Sequence, residues 1–292
     1  MTSLLLRSVF LGASALGLAV SLFAQTPVIP QLQFPAPSPA STIKQRVGIT
    51  DVEVTYARPS AKGREVFGGL VPYGEVWRTG ANNATKVTFS TDVKINGSPV
   101  PAGTYEIFTI PGKTEWTLIV HKNMSQWGSY AYDVANDVAR ATAAPVALAH
   151  PVESLTITFN DLRDDSATLN LAWERVGVTF HLEVDTKGML VPQIEAAMAA
   201  EGDKKPYFQA AMFYFENDLD LNKAIAWMNT GLAAQPNAFW MHYRKGLILA
   251  KMGDKDGARA AANQSLELAE KQKGSLREEY LRLNRALLAS LD

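Results

Sequence analysis

The chain has 292 residues, 47% of them hydrophobic and 20% charged, with 28 basic against 29 acidic side chains and a formal net charge of −1. That is room for two domains with real apolar cores, and so balanced a charge gives no reason to expect nucleic acid as a partner. Cysteine is absent, which excludes disulfides, zinc–cysteine sites, thiol nucleophiles and a lipid-modified cysteine together.

In chain order, Arg7, the apolar run Ser8–Phe23 and the small residue Ala24 read as a cleavable signal peptide over residues 1–24. The run falls short of the ~20 residues of a spanning helix, so no membrane span is expected after cleavage, and the mature protein is expected to be periplasmic or secreted. Residues 25–39 are rich in proline and read as an extended linker.

From Ile49 a two-residue period sets in. Val52, Val54 and Tyr56 alternate with Glu53 and Thr55, and Thr85–Thr91 repeats the pattern. Asn96-Gly97 suits a type I′ hairpin turn. Thr104–Ile110 and Glu115–His121 flank Pro111-Gly112-Lys113, Leu155–Phe159 and Ala167–Trp173 flank a polar turn, and Val178–Val184 closes the set. Seven or eight short strands predict an antiparallel β-sandwich over residues 40–186.

Between the first and second of these runs lies RPSAKGREVFGGLVPYGEVWRTGANNAT, residues 58–85, which follows neither a helical nor a strand period. Long ordered loops in compact domains are more often functional than connective, so the candidate site is placed here. The guanidinium groups and glycines suit a small anionic or sugar ligand, and Arg58, Lys62, Arg64, Tyr73, Arg78, Asn82 and Asn83 form the candidate binding set. The competing reading has these arginines pair with Asp51, Glu65 and Glu75 and pin the loop to the sandwich. Arg78, between Trp77 and Gly80, is expected to be such a pin, and Arg64 a ligand contact. Trp77 and Trp116 are expected in the core, and Trp127, Tyr130 and Tyr132 exposed.

After Asp185 the composition turns to Ala, Leu, Glu and Lys, predicting an α-helical region over residues 187–292. A self-comparison gives a period of 34 residues, aligning Ala224 with Ala258 and Met212 with Gly246, and similar to tetratricopeptide repeats. Helices are expected at 204–215, 222–234, 239–252 and 255–271, with 275–290 as a cap, Ser275 as its N-cap, and Pro192 in the first turn of a leading helix. Such a stack offers a surface for a protein or peptide partner.

The strings RPSAKGREVFGGLVPYGEVWRTGANNATKVTFSTDV and INGSPVPAGTYEIFTIPGKTEWTLIVHKN resemble the DUF2911 family of exported bacterial proteins, over roughly Ser38 to Asp185. The resemblance implies a mainly β domain in a bacterial envelope and hands over no catalytic residues. The four histidines show no metal-ligand spacing, although His121, His181 and a carboxylate could meet through the fold. Asp161, Asp164 and Asp165 read as turn residues rather than calcium ligands. No catalytic residue, metal ligand or cofactor is assigned. The first expectation is an exported, non-catalytic binding or interaction protein, with a ligand or wall component on the sandwich and a protein on the helices. The alternatives are a hydrolase acting on an anionic or sugar substrate at residues 58–83, and an envelope protein whose loop is a rigid plug.

Overall fold

Alternation becomes ladder wherever one side of a strand can be buried. In the computed structural model, which describes residues 32–122, 125–202 and 204–292, the strands are β1 (Ala40–Val47), β2 (Thr50–Ala57), β3 (Thr85–Phe89), β4 (Val93–Ile95), β5 (Ser98–Val100), β6 (Gly103–Ile110), β7 (Trp116–Lys122), β8 (Asp137–Ala143), β9 (Val146–Asn160) and β10 (Ser166–Val184). They build two antiparallel sheets, ordered β1-β2-β3-β6-β7-β8 and β5-β4-β10-β9. Val52, Val54, Val87, Phe89 and Leu118 of the first sheet and Leu155, Ile157, Leu171, Trp173 and Phe180 of the second share one apolar core. Tyr56 crosses that core, its hydroxyl accepting the Ile157 amide at 2.9 Å. Asn96 and Gly97 both have positive φ, as the type I′ turn requires.

Three strands depart from the expected set. β1 and β8 went unforeseen, and β10 runs as one element where two were expected, with register shifts on either side of Glu174 absorbing the interruption. Residues 32–39 carry no helix or strand. The expected leader, residues 1–24, and the first part of the linker lie outside the described residues.

Residues 37–292 form one compact unit in which strand gives way to helix at Asp185. Among the described residues there are six α-helices, all after Asp185: α1 (Thr186–Ala199), α2 (Tyr207–Glu216), α3 (Leu221–Ala234), α4 (Phe239–Lys251), α5 (Lys255–Glu270) and α6 (Ser275–Ser290). Asp185, Asp220 and Asp254 cap α1, α3 and α5 through their carboxylates. The cap assigned to Ser275 falls instead on Gly274, whose φ of 78° leaves Ser275 as the first helical residue. Pro192 lies inside α1, not in its first turn. α2 packs on α3, α4 on α5, and α6 on α5. Ala224 and Ala258, one period apart, are both fully buried. Among the described residues no helix is long and apolar enough to cross a membrane.

The strand-to-helix junction is locked at one glycine. Gly48, in the β1–β2 turn, has φ 56°, and a Cβ there would stand 2.0 Å from Thr186 Oγ1 and 2.2 Å from the Asp164 carbonyl oxygen. The Thr186 hydroxyl itself donates to that carbonyl. Only glycine has both the backbone conformation and the room.

Candidate functional site

Residues 58–84 join two neighbouring strands of one sheet, yet they tie both sheets together across one end of the sandwich. Toward β9, Arg58 donates from Nε to the Leu155 carbonyl at 2.9 Å and from a terminal nitrogen to Thr156 Oγ1 at 2.8 Å. Ser60 bonds Ser154 through their hydroxyls, and the Lys62 amide donates to Glu153. Toward β6, Trp77 and Thr109 exchange both backbone hydrogen bonds at 2.8 Å. Between these moorings Phe67 inserts its ring into the core, edge-on to Trp77, Trp116 and Trp173 at centroid distances of 6.0, 4.8 and 6.0 Å. Trp77 in turn stacks on Trp173 at 5.8 Å.

The loop encloses a cavity of about 400 Å³, lined by Arg64, Glu75, Trp77, Arg78, Ser129 and Trp173 among others. Arg78 has an unusual position. Among the described residues its guanidinium has no ion-pair or hydrogen-bond partner, and its Nε is buried. Burial pushes Arg78 below the ordinary guanidinium range, with Tyr130 acting in the opposite direction. The group stays charged, because arginine does not deprotonate in proteins. A partly dehydrated cation at a cavity wall can accept an anion without first giving up a protein partner. The next residue, Thr79, is fully buried at φ 54°, a conformation costly for a β-branched side chain. Its hydroxyl bonds Thr109 Oγ1 at 3.1 Å, and its carbonyl accepts from Thr85 Oγ1 at 2.8 Å. The strain therefore sits beside the unpaired guanidinium and is held there by buried partners.

The hydrogen bonds of the two arginines are the reverse of those expected. Arg78, expected as a pin, has no partner, whereas Arg64, expected as a contact, donates to the Ala61 and Ser60 carbonyls at 2.9 and 2.6 Å while still lining the cavity. Among the described residues the expected carboxylate pairing does not occur: Asp51 pairs with Arg46, and Arg58 and Arg64 use carbonyl and hydroxyl oxygens. Arg58 and Lys62 moor the loop. Tyr73 lies apart from Arg64 and Arg78, in a smaller cavity of about 160 Å³ with Phe67 and Arg175, and Lys113 Nζ stands over its ring.

Asn82 and Asn83 adjoin the cavity at a second loop. Asn82 accepts the Gly128 amide at 3.0 Å, and Asn83 bridges Trp127. There Trp127 and Tyr130, 64% and 82% exposed, stack on each other at 5.8 Å. Tyr132 is half-buried rather than exposed, because its hydroxyl donates to Asp137 and receives Arg140. Beneath this loop Glu106, fully buried, accepts the Gln126 amide at 2.7 Å and the Gln126 side chain at 3.0 Å. His121, equally buried, stands 3.9 Å from Glu106, and its two ring nitrogens face the Lys122 and Asp133 carbonyls. Both nitrogens being engaged, His121 has none to offer a metal, and among the described residues no cluster of metal-binding side chains forms.

Sequence reasoning missed Trp173, Glu75 and Ser129. Trp173 sits in the alternation of β10 and reads as core, so only the loop folding over it makes it a cavity wall. Residues 38–182 match the family model described as a protein of unknown function (DUF2911). No curated protein and no solved structure matches the chain.

Proposed function

We propose, for a chain whose residues 38–182 belong to the DUF2911 family, that the protein is an exported, non-catalytic binding protein whose β-sandwich captures a small anion in the cavity closed by residues 58–84. The single observation that carries this reading is the Arg78 guanidinium, charged, partly dehydrated and unpaired at the cavity wall. A carboxylate or phosphate oxygen would supply the missing acceptor, and Arg64 adds a second positive charge on the same wall. Glu75 is the only carboxylate among the described lining residues. A hydrolase would call for a paired acid and base, so binding is favoured over turnover. The helices extend the reading: the 34-residue register, the pairing of α2 with α3 and of α4 with α5, and a cleft of about 330 Å³ bordered by Tyr207, Phe208 and Trp240 support a tetratricopeptide-like surface for a protein partner.

Arg78→Gln tests this reading. Titration calorimetry with acetate and with inorganic phosphate is expected to show binding to the native protein. In the variant the affinity should fall about ten- to a hundredfold, the value of a charge-assisted hydrogen bond of about 1.5–3 kcal/mol. The melting temperature should stay level or rise, since the change removes a buried donor that has no partner. A marked loss of stability with no effect on either anion would make Arg78 a structural residue and sink the proposal.

A further inference from the structure

The cavity does not end at its cationic wall. Ser129, one of its lining residues, belongs to the loop that carries Trp127 and Tyr130 on either side of it. The exposed stacked pair is thus continuous with the anion-facing wall. Large aromatic rings left in water are costly unless something covers them, and this pair is held out by construction. Gln126, the residue before Trp127, is clamped by two hydrogen bonds to buried Glu106. Gly128 has φ 75°, and a Cβ there would meet the Tyr130 ring at 2.7 Å. Any other residue at 128 would push the ring out of its stack. Asn82 and Asn83 hold the same loop from the other side through the Gly128 amide and the bridge to Trp127. The aromatic pair is therefore preorganised rather than a fraying loop tip.

We infer that Trp127 and Tyr130 form a stacking subsite for a sugar ring and that the ligand is an acidic saccharide, its carboxylate or phosphate on Arg78 and its ring against the aromatic pair. The inference rests on the anion-binding reading of the cavity and adds to it. A pyranose presents an apolar face of C–H groups to an indole or phenol while its hydroxyls point sideways. Asn82 and Asn83, exposed beside the platform, offer amide donors and acceptors for such hydroxyls, and Glu75 in the cavity wall is a further acceptor. A bare anion would use the guanidinium and leave the aromatic pair idle. A neutral sugar would use the pair and leave the guanidinium unpaired. Only a ligand bearing both features engages everything the site presents.

The test titrates the full chain with two charged sugars, glucuronate and glucose 6-phosphate, against glucose, acetate and inorganic phosphate, in the native protein and in Trp127→Ala, Trp127→Phe and Arg78→Gln. Both charged sugars, or the one whose anion fits, should bind about three- to tenfold more tightly than the corresponding bare anion, the range of one aromatic stacking contact, and about ten- to a hundredfold more tightly than glucose, which lacks the charge-assisted bond to Arg78. Trp127→Ala should erase that advantage while acetate and phosphate bind as before, and Trp127→Phe should keep most of it. Whichever of glucuronate and glucose 6-phosphate wins identifies the charged group. If charged sugars bind no better than bare anions, or Trp127→Ala changes nothing, the saccharide inference is overturned and the anion site stands. If glucose equals the charged sugars, the acidic requirement is wrong. If no anion binds and Arg78→Gln is silent, the underlying reading of the cavity fails and takes this one with it.

Discussion

Phe67→Ala is expected to destabilise the sandwich by about 3–5 kcal/mol, the usual cost of removing a large aromatic ring from a packed core. The ring is buried and lies within 4.8 to 6.0 Å of three tryptophans, centroid to centroid. Each edge-to-face pair contributes beyond the area it hides, roughly 0.5–1.5 kcal/mol. The loss should not stay local. Phe67 sits midway between the mooring to β9 and the mooring to β6, so its removal leaves the middle of residues 58–84 without an anchor. Urea denaturation should show the lowered midpoint, and limited proteolysis should cut between Arg64 and Tyr73, where the native protein resists. A midpoint shift worth less than about 1 kcal/mol, with no new cleavage, would mean that the hydrogen bonds at the two ends suffice and that the ring is incidental.

Glu106→Ala should be comparably severe, about 3–5 kcal/mol, because it strips one member from a fully buried polar cluster. The Gln126 amide and side-chain nitrogen would lose their acceptor, and His121 would lose the carboxyl 3.9 Å away. Glu106→Gln is expected to cost less. It keeps one oxygen for the Gln126 amide, while a second NH₂ group would face the Gln126 side chain, so part of the clamp survives. The same pair of variants reports on the aromatic platform: loosening of Gln126 should release Trp127, read as hydrogen exchange of residues 125–130. Stability and exchange that stay at native values in Glu106→Ala would show that the platform is held from the Asn82–Asn83 side alone.

The strands that escaped sequence reading share a physical reason. β1, β8 and β9, of which only the stretch Leu155–Phe159 was read, all lie at the edge of a sheet. An edge strand has one neighbour, is covered less, and needs fewer apolar residues to stay in place. β1 (ASTIKQRV) has only Ile43 and Val47 as large apolar residues, β8 (DVARATA) is built from small ones, and the first half of β9 is largely exposed. The central strands β2 and β3 keep the alternation that made them legible, while β6 and β7, whose middles are buried on both faces, stand out as apolar runs on either side of a Pro-Gly turn. The candidate site was legible as an irregular segment and not as a set of hydrogen-bonding roles. Absence of periodicity located residues 58–84, but whether an arginine is moored or free depends on where carbonyls of the fold happen to stand. Arg58 finds its acceptors on β9, Arg64 finds them three and four residues back, and Arg78 finds none. Opposite charges along the sequence suggested carboxylate partners that the fold does not use.

The moorings of residues 58–84 also set a clock. Arg58 bonds to residues 97 and 98 positions further along the chain, Ser60 to one 94 positions on, and Tyr56 receives an amide 101 positions on. The helices, by contrast, pack chiefly on their sequence neighbours. Distant pairings form slowly because a long stretch of chain must be closed before any contact rewards it, while local helix pairs form quickly. Refolding from urea should therefore show two rates, helical ellipticity returning first and, in a Trp227→Phe, Trp240→Phe background, indole emission from the sandwich returning later. A single shared rate would mean that sheets and helices assemble together. On a growing chain the same order has a sharper meaning: the loop with its arginines is made early, but it has nothing to close against until β9 and β10 arrive, so the cavity beneath it is the last part of the sandwich to come into being.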